Sequence, residues 1–394
     1  MIKIKQILIA VCLLATTTTT WAQTWQIGYP NAEDVTATLS DGTLTINGIG
    51  EMSNIGDMSV DVPWRDYRNQ ITVVDIADAI TGSIADYAFQ NATNLEWFFN
   101  GNGIQRIGNN AFQNCTNLAY IRIPESVISI GNRAFSGCSA AESIYLGNIQ
   151  TIGDNAFLGC INLTYIQIPS SVTSIGQRAF QACETSVESE LTKTCGSKLE
   201  SVYFGIGVTH IPYQAFRYCD KLTQVHFHPF VQSIGERAFQ HCSNLAWISM
   251  PEGLTTIERG AFQNTAVGIL SIPSTVTSIG DHAFADCRDL TTVLLHNPVP
   301  LNISEYVFNG LTLADIILSV PECTGDVYGN APIWQGFNII NQGDCESSSI
   351  NNVTNTARTI IAFYTPMGIK LQNEPTNGVY IVVFDDGSTE KRVR

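Results

Sequence analysis

The stretch Cys115–Phe135, CTNLAYIRIPESVISIGNRAF, decides how this chain folds. It is one copy of a unit that recurs from about residue 82 to about residue 320, marked most tightly by an Ala-Phe pair. The Phe of that pair stands at Phe89, Phe112, Phe135, Phe157, Phe180, Phe216, Phe239, Phe262 and Phe284, with a Val-Phe variant at Phe308. The period is 23 residues, interrupted once by an insertion between Phe180 and Phe216. One unit of that size cannot bury its own apolar face, so copies must stack, and a fixed period means a solenoid. About ten coils are expected, and function is to be sought on the surface of a rod or at its ends.

Within the unit, Ala119–Ile123 reads as a strand: Ile121 and Ile123 face inward, Tyr120 and Arg122 outward, and Pro124 closes it for want of an amide proton. Val127 and Ile130 return the chain to the core and Gly131 makes a bend. Asn132–Phe135 opens a short helical turn that sets Phe135 and Cys138 beneath the next strand. A buried Phe or Ile contributes roughly 1.5–3 kcal/mol before ordering costs, so the stack is stable although no single unit is.

The flanks differ in character. Residues 1–22 read as a secretory signal: Lys3 and Lys5, an apolar run over Ile7–Ala15, and the small-x-small site Thr20-Trp21-Ala22. That run is too short to span a bilayer, and no later stretch has the ~20 apolar residues a membrane helix needs. Residues 23–81 form an N-terminal cap, with a hairpin about Asp41-Gly42. A short helix near Asp61–Tyr67 places Trp64 and Tyr67 on the first repeat. Repeats occupy 82–320 with an insertion at 184–196. A C-terminal cap follows at 321–343, with Trp334 and Phe337 over the open end, then a polar linker at 344–356 and a small all-β module at 357–394. The formal net charge of −15 argues against nucleic acid and against anionic lipid as partners.

The string IP-x-S-V-x-x-IG-x-x-AF-x-x-C recurs nearly intact at Ile123–Cys138, Ile168–Cys183 and Ile272–Cys287. It resembles the BspA-type leucine-rich repeat of surface proteins of the Bacteroidetes and some mucosal parasites. The lead-in, LSDGTLTI followed by VPWRDY, and the closing strand Ile316–Pro321 are similar to that family's ends. The resemblance implies a non-enzymatic adhesion or recognition protein. Tyr364, Gly368, Leu371, Gly378–Val383, Asp386-Gly387 and the basic terminus resemble the C-terminal sorting domains of Bacteroidetes type IX secretion. Together these imply export to the cell surface, outer-membrane associated, or to the medium.

Seven cysteines (Cys115, Cys138, Cys160, Cys183, Cys219, Cys242 and Cys287) lie three residues after the repeat Phe. Such regularity suggests a column of buried free thiols. Cys183–Cys195, bracketing the insertion, and Cys323–Cys345, bracketing the end of the repeats, are candidate disulfides.

Outward strand positions carry the functional expectation. They are Trp97 and Phe99; Tyr120 and Arg122; Ser143 and Tyr145; Tyr165 and Gln167; Ser201 and Tyr203; Gln224 and His226; Trp247 and Ser249. Each of these seven strands offers a ring, and the pattern fades after Trp247. Trp97, Phe99, Tyr120, Arg122, Tyr145, Tyr165, Gln167, Tyr203, His226 and Trp247 are therefore the candidate contacts for a host or microbial surface protein, or a glycan. The competing reading is a structural ladder of cross-strand pairs. At the level of the whole protein, the alternatives are a scaffold component of the cell envelope and a glycan-binding accessory.

Other chemistry is sparse. His226-x-His228 could share one strand face but has no third ligand at fitting spacing, so no metal or cofactor is expected. Arg133, Arg178 and Arg237, each two residues before the Phe, read as a solvated edge. No catalytic motif is present, and no enzyme activity is expected.

Overall fold

The computed structural model describes residues 22–52, 62–99, 101–183 and 195–341, and in the C-terminal segment 360–364, 370–371, 373–375, 379–384 and 389–393. Each coil of the stack has three sides. The first is the expected strand: Tyr120–Arg122 pairs in parallel with Ser143–Tyr145, Tyr120 opposite Ser143 and Arg122 opposite Tyr145. After Pro124 a second strand forms, Ser129–Ile130, in parallel with Ile104–Ile107 on one side and Thr151–Ile152 on the other. The coil therefore carries two short strands where the sequence reading had one. Glycine at its corner is imposed by the neighbouring coil: a Cβ on Gly153 would sit 2.5 Å from the backbone carbon of Gly131.

The third side carries the Phe, and it is a turn, not a helix. Arg133 and Gly137, two residues before and after Phe135, both adopt left-handed φ (54° and 77°). Helical runs cannot pass through such residues. Instead the amides of Arg133, Phe135 and Gly137 donate to the carbonyls of Asp154, Ala156 and Leu158 on the next coil, at 2.7–2.8 Å. All three sides are thus hydrogen-bonded from coil to coil, which accounts for the buried backbone.

Inside, the repeat Phe rings form one continuous column from Phe89 to Phe308, with centroids 5.0–5.8 Å apart. The column runs unbroken past the insertion, Phe180 lying 5.3 Å from Phe216. The insertion is bracketed by Cys183 and Cys195, whose Cα atoms are 5.7 Å apart and which are joined by a disulfide. Cys183 therefore leaves the thiol column, while Cys115, Cys138, Cys160, Cys219, Cys242 and Cys287 are free and buried. Each free thiol donates to the carbonyl of the Phe one coil earlier, as Cys138 does to Phe112 at 3.2 Å. Cys345 lies outside the described residues, and with it the proposed Cys323–Cys345 pairing.

Parallel stacking begins before the repeat is visible in sequence. The hairpin Val35–Ser40 and Thr43–Gly48 turns at Asp41 and Gly42, both of positive φ. Thr43–Gly48 then pairs in parallel with Val73–Ile76, which pairs in the same sense with Trp97–Phe99. Trp64, followed by a short 3-10 turn at Arg65–Gln70, stacks on Phe89 at 5.8 Å and donates its indole N–H to the Ala88 carbonyl. At the far end Trp334 and Phe337 meet Phe308 edge-on at 6.1 and 5.2 Å, Trp334 again donating to a carbonyl, that of Leu301. Beyond 359 the described strands form a separate antiparallel sheet around Tyr380 and Val382. The segment expected to be a secretory signal lies, through residue 21, outside the described residues.

Candidate functional site

The outward residues of the first side fall into two columns, because Tyr120 pairs with Ser143 and Arg122 with Tyr145, and likewise Tyr165 with Ser201 and Gln167 with Tyr203. The first column runs Trp97, Tyr120, Ser143, Tyr165, Ser201, Gln224, Trp247; the second runs Phe99, Arg122, Tyr145, Gln167, Tyr203, His226. All ten candidate residues face outward, but their rings zigzag between columns and do not make one straight strip. Trp97, Phe99, Tyr120, Tyr145, Tyr165 and Trp247 are exposed, Trp247 most at 62%. Tyr203 and His226 are half-buried because they stack on each other at 4.2 Å. Trp97 stacks on Tyr120 at 5.5 Å and on Phe99 at 6.4 Å.

Between those two stacks the face is built differently. Tyr145, 51% exposed, has the Arg122 guanidinium 5.5 Å above its ring and donates its phenol to Glu125. That bond to a carboxylate is the main reason its phenol pKa is raised. Among the described residues Tyr145, Tyr165 and Trp247 touch no other ring. Next to Tyr145 and Tyr165 lies an open groove of about 410 Å³, lined also by Glu125, Ser143, Asn148, Gln167 and Ser171. Beyond Trp247, where the aromatic pattern fades as expected, the outward positions include exposed Ile269, Ile317 and Ile340.

Two expectations are corrected. His226 and His228 do not share a face: His228 turns inward, fully buried, between the Val208 carbonyl at 2.6 Å and the Phe230 amide at 3.0 Å. Burial lowers the pKa of both imidazoles. Arg178 and Arg237 are not a freely solvated edge. Arg178 donates to Gln214 at 2.8 Å and lies 5.4 Å over Tyr213, and Arg237 sits 3.7 Å from Glu236. Both are held by the same left-handed turn as Arg133.

Glu125 and Ser171 were missed in the sequence, where they look like ordinary turn residues after Pro124 and Pro169. A second omission is the side-chain ladder at the corner glycines. Asp86, Asn109, Asn132 and Asp154 each accept from the backbone amide one coil on, at 2.6–2.8 Å. Among the described residues no group of three His, Cys, Asp or Glu side chains is placed to hold a metal ion, and no helix is long and apolar enough to cross a membrane.

Comparison with known proteins places these features. The sequence profile described as a BspA type leucine rich repeat region matches residues 67–187 and 209–323, in six copies. No curated protein matches the chain. Similar solved structures include a leucine-rich repeat protein from Eubacterium ventriosum, 20% identical, covering 69% of this chain and 96% of its own, with a TM-score of 0.39. A leucine-rich cell surface protein from Faecalibacterium prausnitzii is 22% identical over 84% of this chain and 97% of its own, TM-score 0.33. The pneumococcal vaccine antigen PcpA is 14% identical over 84% and 98%, TM-score 0.36.

Proposed function

The chain belongs to the BspA-type leucine-rich repeat family, and on that premise we propose that it is a non-enzymatic recognition protein of the cell surface or its surroundings. Its partner, a host or microbial surface protein or a glycan, docks on the ring-bearing side of the repeats. One observation carries this reading. Tyr145, Tyr165 and Trp247 are large rings held out to solvent with, among the described residues, no neighbouring ring to justify them as a ladder. Rigid aromatic side chains lose little entropy on contact and supply the anchors of binding surfaces. The stacks at Trp97–Tyr120 and Tyr203–His226 lie on either side of Tyr145 and Tyr165, with Trp247 beyond them.

Replacing Tyr120, Tyr165 and Tyr203 together by Ser removes one ring from each part of the face. Capture of the protein by purified extracellular-matrix proteins and immobilised glycans is then lost, with the far-UV circular dichroism spectrum unchanged. Full retention of capture removes the face from consideration. We assign residues 1–22 to export and 357–394 to sorting by a type IX system of the Bacteroidetes, on the motifs quoted above. Deleting 357–394 accordingly leaves the protein in the periplasm, and surface labelling equal to that of the full chain refutes the sorting role.

A further inference from the structure

The groove beside Tyr145 and Tyr165 has a chemistry of its own. Its four central positions form a cell: Ser143 and Tyr145 on one strand, Tyr165 and Gln167 on the next. The rings occupy one diagonal, roughly 7–8 Å from corner to corner at the backbone. Small and amide side chains occupy the other. The result is two aromatic walls with a low, polar saddle between them. One wall is fixed in advance, since Tyr145 is tied to Glu125 and lies under Arg122. The other, Tyr165, has a ring half open to solvent and no ring partner among the described residues.

Hydrogen-bonding groups surround this saddle, and they are neutral with one exception. Among the described residues Glu125 is the only charged one lining the groove, and its carboxylate already accepts from Tyr145. Ser171, at the rim, has a hydroxyl buried without a hydrogen-bond partner among the described residues. A group of that kind is costly unless water or a ligand satisfies it. Among the described residues no cation lines the groove, the nearby Arg122 being stacked on Tyr145, and the chain as a whole is strongly acidic, so phosphate, sulfate and sialate are disfavoured there. A flat apolar peptide would leave the polar rim unpaired.

We propose that this groove is a saccharide subsite for a neutral hexose or N-acetylhexosamine within a longer chain. The sugar sets a C–H face on Tyr165, abuts the fixed ring of Tyr145, and places hydroxyls against Glu125, Gln167 and Ser171. A site of about 410 Å³ falls at the small end of the range for ligand pockets, roughly 300–1,000 Å³, which suits one or two sugar rings rather than an extended peptide. The inference rests on the recognition reading above and narrows its partner to a glycan.

The test uses the full chain on a surface carrying cellohexaose, laminarihexaose, mannohexaose and chitohexaose, with sialyllactose and a heparin fragment as charged probes and purified matrix proteins alongside. At least one neutral hexasaccharide retains the protein. Tyr165→Ala then weakens that retention by about tenfold or more, as loss of an aromatic anchor does. Tyr165→Phe keeps it, because the stacking face survives, and Val327→Ala, an exposed side chain of the C-terminal cap away from the face, leaves it unchanged. Retention by the charged probes alone, or by none of the saccharides, overturns the proposal, as does neutral binding indifferent to both Tyr145→Ala and Tyr165→Ala. If matrix proteins alone are captured, and the triple Tyr→Ser variant releases them, the groove assignment falls while the recognition face stands. Should the triple variant change nothing on any probe, both fall together.

Discussion

Two sets of rings run along this molecule at the same 23-residue period, and they obey different rules. The inner column holds Phe at every rung from Phe89 to Phe308, each ring buried and stacked on the next. The outer columns change residue at every rung and stack in only two places among the described residues. The inner slot is bounded on all sides by neighbouring coils, so its volume is the same in every copy and one residue type fits it. Outside, the slot ends in water, and the fold needs only that the strand pair. Identity on the outer face is therefore under far weaker structural demand, confined to the stacks at Trp97–Tyr120 and Tyr203–His226, and that freedom is what lets a binding surface be written on it.

The sharpest way to break this contrast is to treat one ring of each kind alike. Phe157 sits between Phe135 and Phe180 at 5.5 and 5.2 Å and is 1% exposed. Phe157→Ala leaves a cavity that close packing cannot refill, costing about 3–5 kcal/mol. Urea unfolding followed by circular dichroism measures it. A cost below about 1 kcal/mol would mean that coils slide to fill the gap, and the inner column would lose its special standing.

A smaller effect separates the thiol column, equally buried, from both sets of rings. Burial moves the pKa of Cys115, Cys160 and Cys219 from the ordinary 9.0 up to about 12. Below pH 9 folded and unfolded chains both keep these protons, and stability does not depend on them. Above it the unfolded chain loses protons that the folded chain retains, so stability falls as pH rises toward 12. The slope is on the order of 1.4 kcal/mol per pH unit for each thiol. Cys160→Ala removes one such contribution, so its urea midpoint, compared at pH 8 and pH 10, falls less steeply than that of the parent. Equal slopes would show that the thiols titrate normally.

What could be read from sequence follows the same division. The Phe column, its period and the outward strand positions were legible because each copy repeats them, and repetition across ten copies cancels local ambiguity. The second strand at Ser129–Ile130 was not: two residues carry too little alternation to register as a strand. A turn in place of the expected helix was likewise hidden, since Arg133, Asn155 and Arg178 are unremarkable in composition and only backbone geometry reveals their left-handed φ. Asp41-Gly42 announced its hairpin because those residue types are specific to it. On the site, repetition says which side chains point outward. It says nothing of lateral partners such as Glu125 on Tyr145 or of the buried Ser171 hydroxyl, because those contacts occur once and leave no periodic trace.

The smallest expected effect divides the outer face itself. Trp97 stacks on both Tyr120 and Phe99, whereas Tyr165 touches no ring among the described residues. Trp97→Ala therefore loses aromatic pairing and costs about 0.5–1.5 kcal/mol. Tyr165→Ala forfeits no such pair and stays within about 0.5 kcal/mol of the parent. Urea midpoints of the two variants, measured side by side, resolve the difference. If Tyr165→Ala proves as costly as Trp97→Ala, the middle of the face is a structural ladder like its flanks, and the rings there need no partner to explain them. If Tyr165 is silent in stability, folding does not account for a half-exposed aromatic ring on this face, and contact with something outside the chain becomes the reason for its presence.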